Sequence, residues 1–348
     1  METQSVVSAT RRKKPGKRAL PDRSQTLRRS FQFAFLLLNL WIGVQFYLFV
    51  RYYETGGQSI RMARPAGVEG WLPIASLMNL KVLLMTGRLP RIHPAGTLLL
   101  IAFLAVSWIF RKSFCGWLCP VGTVSEYLWR FGRKLFRSNF RIPCVVDIPL
   151  RGIKYLLLGL FVYVVAEMSV LEIRQFLDSP YGMVDDVKML NLFRNLGGTG
   201  WTVMAVLVLG SMAVQNFWCR YFCPYGALMG LVSLGSPLRI RRDANLCIDC
   251  AKCAKACPSA LPVDRLITIQ SAECLGCMQC VASCPAEGAL FLAMPRRKRV
   301  PPWAVAAGVA MLFLGTYVYG RWSGHWNTDL PDHVYFQLVP HADEFAHP

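Results

Sequence analysis

The sequence predicts a polytopic α-helical membrane protein of about five spans, with a small cysteine-rich α+β domain inserted before the last span. Three observations carry this. The 348 residues are 54% hydrophobic yet bear a net charge of +19, so apolar and charged residues must be segregated along the chain. Five stretches are long and apolar enough, or nearly so, to cross a bilayer: 31–50, 95–110, 153–171, 201–218 and 303–320. Eight of the 13 cysteines are packed between Cys247 and Cys284.

Residues 1–30 form a basic tail, from Arg11-Arg12-Lys13-Lys14 through Arg29, expected to be disordered. Beside a hydrophobic segment such a tail reads as a positive-inside anchor touching anionic lipid headgroups, not as a nucleic-acid arm. The first apolar run is followed by Arg51-Tyr52-Tyr53-Glu54 and not by a small-residue cleavage site, so it reads as an uncleaved anchor. The second run is short and borrows flanking residues. The stretch 71–86, with Asn79 and Lys81, reads as a re-entrant or interfacial helix. The expected organisation is a tail at 1–30, a four-span core at 31–235, the cysteine-rich insert at 236–295, a fifth span within 296–320 and an outer tail at 321–348. Arg296-Arg297-Lys298-Arg299 mark the inner face before the fifth span. With the N-terminus inside, the inner segments hold 28 Lys and Arg and the outer ones 10, which places the insert and the N-terminus on the cytoplasmic side of a membrane and the C-terminus on the opposite side.

The insert carries Cys-x2-Cys-x2-Cys-x3-Cys-Pro twice: Cys247, Cys250, Cys253, Cys257, Pro258 and, 27 residues on, Cys274, Cys277, Cys280, Cys284, Pro285. This is the two-cluster bacterial ferredoxin pattern, in which the fourth cysteine of each run ligates the other cluster. Cys247, Cys250, Cys253 and Cys284 are thus expected to hold one 4Fe–4S cube, and Cys274, Cys277, Cys280 and Cys257 the other. Three thiolates at this spacing can wrap a cube on one tight loop, and the Cys-Pro that follows cannot continue a helix. The doubled order argues against zinc ribbons and structural disulfides.

A second repeat lies in the core. Cys115-Gly-Trp-Leu-Cys119-Pro120-Val-Gly122 matches Cys219-Arg-Tyr-Phe-Cys223-Pro224-Tyr-Gly226 at an offset of 104. Cysteines at i and i+4 share a helix face. Two such pairs on equivalent helix ends could supply four thiolates for a third metal centre or cluster, form a redox-active thiol relay, or serve as small packing residues at a Pro-broken helix start. Cys144 stands alone beside Pro143 and reads as a spectator.

At these residues the chain resembles the membrane-bound ferredoxins of the NapH, NosR and YccM type, over roughly 31–295. The resemblance implies electron transfer between a membrane quinone or quinol pool and a partner redox protein on either face, with two 4Fe–4S clusters held by the eight ferredoxin cysteines. The chain lacks a flavinylation motif and a Cys-x-x-Cys-His haem motif. Copper-handling polyferredoxins share Cys-x3-Cys-Pro, which keeps a metal-reducing or assembly role as the alternative. A non-catalytic membrane anchor is a third.

The five histidines, His93, His325, His333, His341 and His347, all fall on the expected outer face, four of them in a solvated tail. Glu167, near the outer end of the third span, is a candidate quinol-proton acceptor, because an ionisable group within a span is a functional hypothesis by default. His93 and Lys81 are weaker candidates for the same site. Gly197-Gly198-Thr199-Gly200 lacks the preceding strand of a nucleotide loop and reads as a connection before the fourth span. Ferredoxin-type cubes often have low potentials, so either direction of electron flow fits.

Overall fold

The computed structural model describes residues 22–140, 142–295 and 298–347. The residues before Asp22, and Arg296 and Arg297 of the expected inner-face cluster, lie outside the described residues. The chain divides into two compact units. The first comprises the segments up to Leu36, Phe103–Leu156 and Leu207–Leu312; the second comprises Leu37–Ala102, Leu157–Val206 and Phe313 onward.

Long apolar helices are the main elements. Helix α1 is Ser24–Glu54, α5 is Cys144–Glu167 and α14 is Pro302–Trp322. These three are long and apolar enough to cross a membrane. After the one-turn α7 (Pro180–Met183), a fourth candidate is the pair α8 (Asp185–Arg194) and α9 (Gly198–Ala213), bent by 83° at its break. Helix α3 (Pro94–Ile109) is apolar, but its 16 residues rise only about 24 Å, short of the ~30 Å hydrocarbon core. The described residues therefore carry three to four candidate spans where the sequence suggested about five. The stretch 71–86 folds as α2 (Pro73–Thr86), opened by Pro73 in its first turn and closed by Gly87 at φ 69°.

Helix α1 starts inside the tail expected to be disordered, and the local chemistry explains why. Asp22 accepts from the Ser24 amide and hydroxyl at 2.7 and 2.9 Å, the geometry of a helix cap. One turn on, Arg28 is fully buried and donates to both carboxylate oxygens of Glu126 at 2.8 and 2.7 Å.

In the first unit, α4 (Pro120–Phe136) is amphipathic. Val124, Tyr127, Phe131 and Leu135 follow helical spacing and are all exposed, while Thr123, Trp129 and Gly132 are buried. An exposed apolar stripe ending in Arg133 and Lys134 suits a helix lying at a membrane surface. On the other side, a Cβ added at Gly132 would stand 2.0 Å from the Met212 carbonyl oxygen of α9, so only glycine allows this approach. Short α10 (Phe217–Tyr221) and α11 (Pro224–Leu234) follow α9.

The cysteine-rich segment then builds a three-stranded antiparallel sheet in the order β2-β1-β3, from β1 (Arg239–Arg242), β2 (Thr268–Ile269) and β3 (Leu290–Ala293). Ile240 faces Ile269 on one side and Leu292 on the other, and all three are buried. Two one-turn helices, α12 (Lys252–Ala256) and α13 (Gln279–Ala282), stand in the two cysteine loops.

The second unit has two small cores. One joins Phe46, Phe49, Val50 and Tyr53 of α1 to Val184, Val187 and Tyr335, the last in α15 (Asp332–Leu338). The other packs Met78 and Val82 of α2 against Val165, Ile173 and Leu177, the last two in α6 (Val170–Leu177). A capping box sets the start of α6: Ser169 accepts from the Glu172 amide and the Glu172 carboxylate accepts from the Ser169 amide.

Candidate functional site

Each cysteine loop is shaped by left-handed backbone at matching positions. Asp249 and Ala251 both have φ 55°, and Gly276 and Met278, each 27 residues later, have φ 61° and 54°. Three of these four residues carry a side chain in a region that disfavours one. Left-handed residues interleaved in a loop turn successive amides toward one concavity, a nest that suits anions and iron-sulfur groups. Both loops thus have the same backbone fit to the same kind of group.

The thiols sort into two neighbourhoods. Cys284 lies within electrostatic reach of Cys247, Cys250 and Cys253. Cys257 lies within reach of Cys274, Cys277 and Cys280. Cys257, Cys274, Cys277 and Cys280 also line one small apolar cavity, with Ile240 and Ile269. Burial pushes the Cys253 thiol up to about 11 and Cys277 to about 12. A thiol buried this way is a poor anion by itself, and coordination to iron would deprotonate it outright.

The two Cys-x3-Cys-Pro segments have matching local designs. In each, the second cysteine caps the following helix and Pro sits at the first helical position. Cys119 Sγ accepts from the Gly122 amide at 3.5 Å, and Cys223 Sγ accepts from the Gly226 amide at 3.2 Å. A Cβ at Gly122 would meet the Cys115 carbonyl at 2.6 Å, which explains a glycine in the first copy. Cys115 is within electrostatic reach of Cys119 and Cys223, and Cys219 of all three others. Burial raises all four thiols, Cys119 to about 11. Lys112 offsets part of this at Cys115, Cys219 and Cys223.

Polar residues that the sequence left unexplained hold this region in place. Asp147 accepts from Arg220 at 2.7 Å and from the Tyr221 hydroxyl at 2.6 Å, and it also pairs with Arg151. That fixes the two residues that follow Cys219 in the second copy. Arg28 and Gln32 donate to the Gly116 carbonyl at 3.0 and 3.2 Å and fix the first. Lys154, fully buried, donates to both carboxylate oxygens of Glu273 at 2.7 Å, and Tyr155 adds a bond at 2.9 Å. Burial opposes the Glu273 charge, but Lys112 and Lys154 hold its carboxyl below the usual range. Arg111, also fully buried, donates to the Ser271 carbonyl at 2.9 Å, while its Nε and Nη1 find no protein acceptor. Such orphaned donors are what an anionic group nearby would satisfy. A charge at the start of a predicted span was the available sequence signal, and Lys154 carried it.

Of the remaining candidates, Lys81 bonds the backbone on either side of Glu167, while His93 sits in an ion network with other partners. Glu167 is the exposed last residue of α5. Lys81 donates to the carbonyls of Val165, Ala166 and Met168 at 3.0, 2.7 and 2.6 Å, so it caps the end of α5. His93 is buried beside Glu69, Asp185 and Arg64. Arg64 in turn pairs with Glu69 at 2.7 Å and Asp186 at 2.6 Å. Burial opposes both charges, yet Arg64 holds the Glu69 carboxyl down to about 2, and Asp185 and Glu69 hold the His93 imidazole well above its ordinary value. Of the tail histidines, His341 pairs with Glu344 and His347 packs on Phe176 and Tyr181. Among the described residues no group of three or more His, Cys, Asp or Glu is arranged around a single-ion site.

With this geometry in view, two family models match the chain. A 4Fe-4S binding domain matches residues 92–139 and again 196–242, one match over each Cys-x3-Cys-Pro segment. A 4Fe-4S dicluster domain matches residues 239–285, the doubled cysteine run. Among curated proteins the chain is 46% identical to YccM of Escherichia coli strain K12, whose name assigns it provisionally to electron transport, over 328 residues and 92% of each chain. This chain belongs to that family of membrane-bound 4Fe–4S ferredoxins. The ferredoxin-type protein NapH of Haemophilus influenzae is 28% identical over 47% of this chain and 53% of its own. The methylamine utilization ferredoxin-type protein MauN of Methylorubrum extorquens is 28% identical over 55% and 62%. No solved structure matches. The family is one of electron-transport proteins with 4Fe–4S domains and membrane helices.

Proposed function

We propose that this protein passes single electrons between the quinone pool of a bacterial inner membrane and a partner redox protein. Two 4Fe–4S clusters, when bound, supply the one-electron chemistry. Cys247, Cys250, Cys253 and Cys284 hold one, and Cys274, Cys277, Cys280 and Cys257 hold the other. The observation that carries this reading is the doubled loop itself: two thiol sets, each on a backbone nest of the same left-handed pattern. The chain's own residues do the rest. The buried cations Lys112, Lys154 and Arg111 favour an electron-accepting site, since positive charge beside an anionic centre raises its affinity for an electron. Apolar packing by Ile240 and Ile269 keeps water away from the inner thiols.

Cys115, Cys119, Cys219 and Cys223 form a third metal or redox centre in this reading. Support comes from the matched thiol caps and from the family model that covers each copy. The expected topology has about five spans, with α3 and α9 completed by their flanks, the N-terminus and cysteine-rich domain cytoplasmic and the C-terminal tail periplasmic. Glu167 is the proposed contact for a quinol proton. Mixing anaerobic, oxidised protein with menaquinol or ubiquinol and following the clusters by EPR tests the reading. Rapid reduction supports a quinol-dehydrogenating subunit. Reduction by a low-potential ferredoxin and not by quinol reverses the direction of flow. No reduction by either refutes the electron-transfer role.

A further inference from the structure

The two cysteine loops are twins in backbone but not in surroundings. In the second loop Cys274, Cys277 and Cys280 are only 6, 8 and 6% exposed. In the first, Cys250 is exposed, as are Asn245, Leu246, Asp249 and Lys252 around it. The difference has a cause. Carbonyls along the second loop are taken by donors from two other parts of the chain. Arg111 bonds Ser271 at 2.9 Å, Lys112 bonds Ala272 at 3.4 Å, the Trp117 indole bonds Gly276 at 3.3 Å and Gln25 bonds Cys277 at 2.9 Å. Three of these donors belong to or immediately precede the first Cys-x3-Cys-Pro segment. Gly116, between Cys115 and Cys119, lies so close that an added Cβ would stand 2.5 Å from the Leu275 carbonyl oxygen. The second copy's helix also reaches this loop: a Cβ at Gly230 would stand 2.7 Å from the Ala272 carbonyl oxygen.

From this seating we infer that the two thiol sets are ordered terminals and not interchangeable ones. The set Cys247, Cys250, Cys253 and Cys284 is the solvent-side terminal, where a soluble one-electron carrier protein exchanges its electron. The set Cys257, Cys274, Cys277 and Cys280 is the inner terminal, held against the Cys-x3-Cys-Pro segment by Gly116 and Trp117 as positioning residues. This rests on the two-cluster reading above and adds the direction in which each set faces. A carrier that gives up one electron at the solvent side is oxidised by one electron while the iron held there is reduced by one; no bond or proton changes hands. The closed-in backbone contact at Gly116 gives the inner set its short route to the four-cysteine segment, while burial keeps soluble carriers from reaching it directly.

The test uses anaerobically purified, cluster-loaded protein, reduced and examined by EPR with a water-soluble dysprosium chelate as relaxation probe. Cys250→Ser, with Cys247→Ser as its independent check, marks the signal of the solvent-side set. The chelate is expected to speed relaxation of that marked signal far more than of the other. Trp117→Phe is expected to shift the midpoint potential of the unmarked signal and leave the marked one in place, and Gly116→Ala to do the same more strongly. Trp117→Phe keeps the test alive if Gly116→Ala fails to fold. Equal relaxation of both signals, or a Trp117→Phe shift confined to the marked signal, overturns the ordering. Loaded protein that never shows two cubane signals overturns the two-cluster reading and the ordering with it.

Discussion

Replacing Lys154 by Met asks how much the ion pair under the second cysteine loop contributes. Lys154 has no exposed side-chain surface, and Glu273 keeps 13%. Both carboxylate oxygens are bonded to the ammonium at 2.7 Å. Breaking one side of a buried pair costs about 3–5 kcal/mol, mostly because the survivor's charge is stranded. Here the stranded group keeps a Tyr155 bond, the field of Lys112 and some exposure, so the lower end, about 3 kcal/mol, is expected. The variant should unfold at lower denaturant in detergent micelles and lose iron from the loop that begins at Cys274. Glu273→Gln in the same background should restore most of the loss, since a neutral pair strands no charge. A double-mutant cycle reads the coupling directly. A single-variant cost below about 0.5 kcal/mol, or a cycle with no coupling, would refute the reasoning, because it would place this pair with surface salt bridges.

Gly132→Ala should destabilise by about 1–3 kcal/mol in thermal or denaturant unfolding, because overpacking against the Met212 backbone outweighs the gain in helix propensity. Lys81→Met should cost about 1 kcal/mol and increase amide exchange at the α5 terminus around Val165–Met168, with Lys81→Arg retaining most of the capping. The folded-state carboxyl of Glu69 lies near 2 against an ordinary 4.5, so its contribution is present above pH 4.5 and is lost as pH falls toward 2. The His93 imidazole is shifted up from 6.5, so its contribution is complete below pH 6.5 and is lost as pH rises through its folded value. Unfolding midpoints measured against pH should therefore peak between these limits, with Glu69→Gln flattening the acid limb and His93→Gln the alkaline limb.

What the sequence made legible is the chemistry with a rigid spacing. The 27-residue cysteine offset reappears as the 27-residue offset of left-handed residues, because the same spacing of residues folds into the same loop twice. The 104-residue repeat reappears as paired thiol caps, because Cys-Pro with Gly three residues after the cysteine encodes a helix start by itself. Periodicity was a weaker guide where helices are short. Helix α3 has a span's composition but not its length, and α9 is one limb of a bent pair. Long-range ion pairs were not legible at all. Lys81 and His93 both read as weaker candidates for the quinol-proton site; in the structure Lys81 bonds the carbonyls at the end of α5, and His93 sits in an ion network with Arg64 and Glu69. Nothing local in the sequence distinguishes a charge that serves chemistry from one that closes a helix end or a buried pair. The ordering of Arg28 against Glu126, 98 residues away, likewise turned the end of a basic tail into helix.

The most direct measurement is anaerobic iron and sulfide analysis joined to low-temperature EPR of the fully loaded protein. The account predicts at least two cubes' worth of iron, two reducible 4Fe–4S signals that disappear separately when Cys250 or Cys277 is replaced, and additional iron that depends on Cys115, Cys119, Cys219 and Cys223. Two cubes' worth and no more would remove the third cluster and leave those four thiols a redox or packing role. A protein that binds no cubane cluster, or whose signals survive loss of these cysteines, would contradict the central claim.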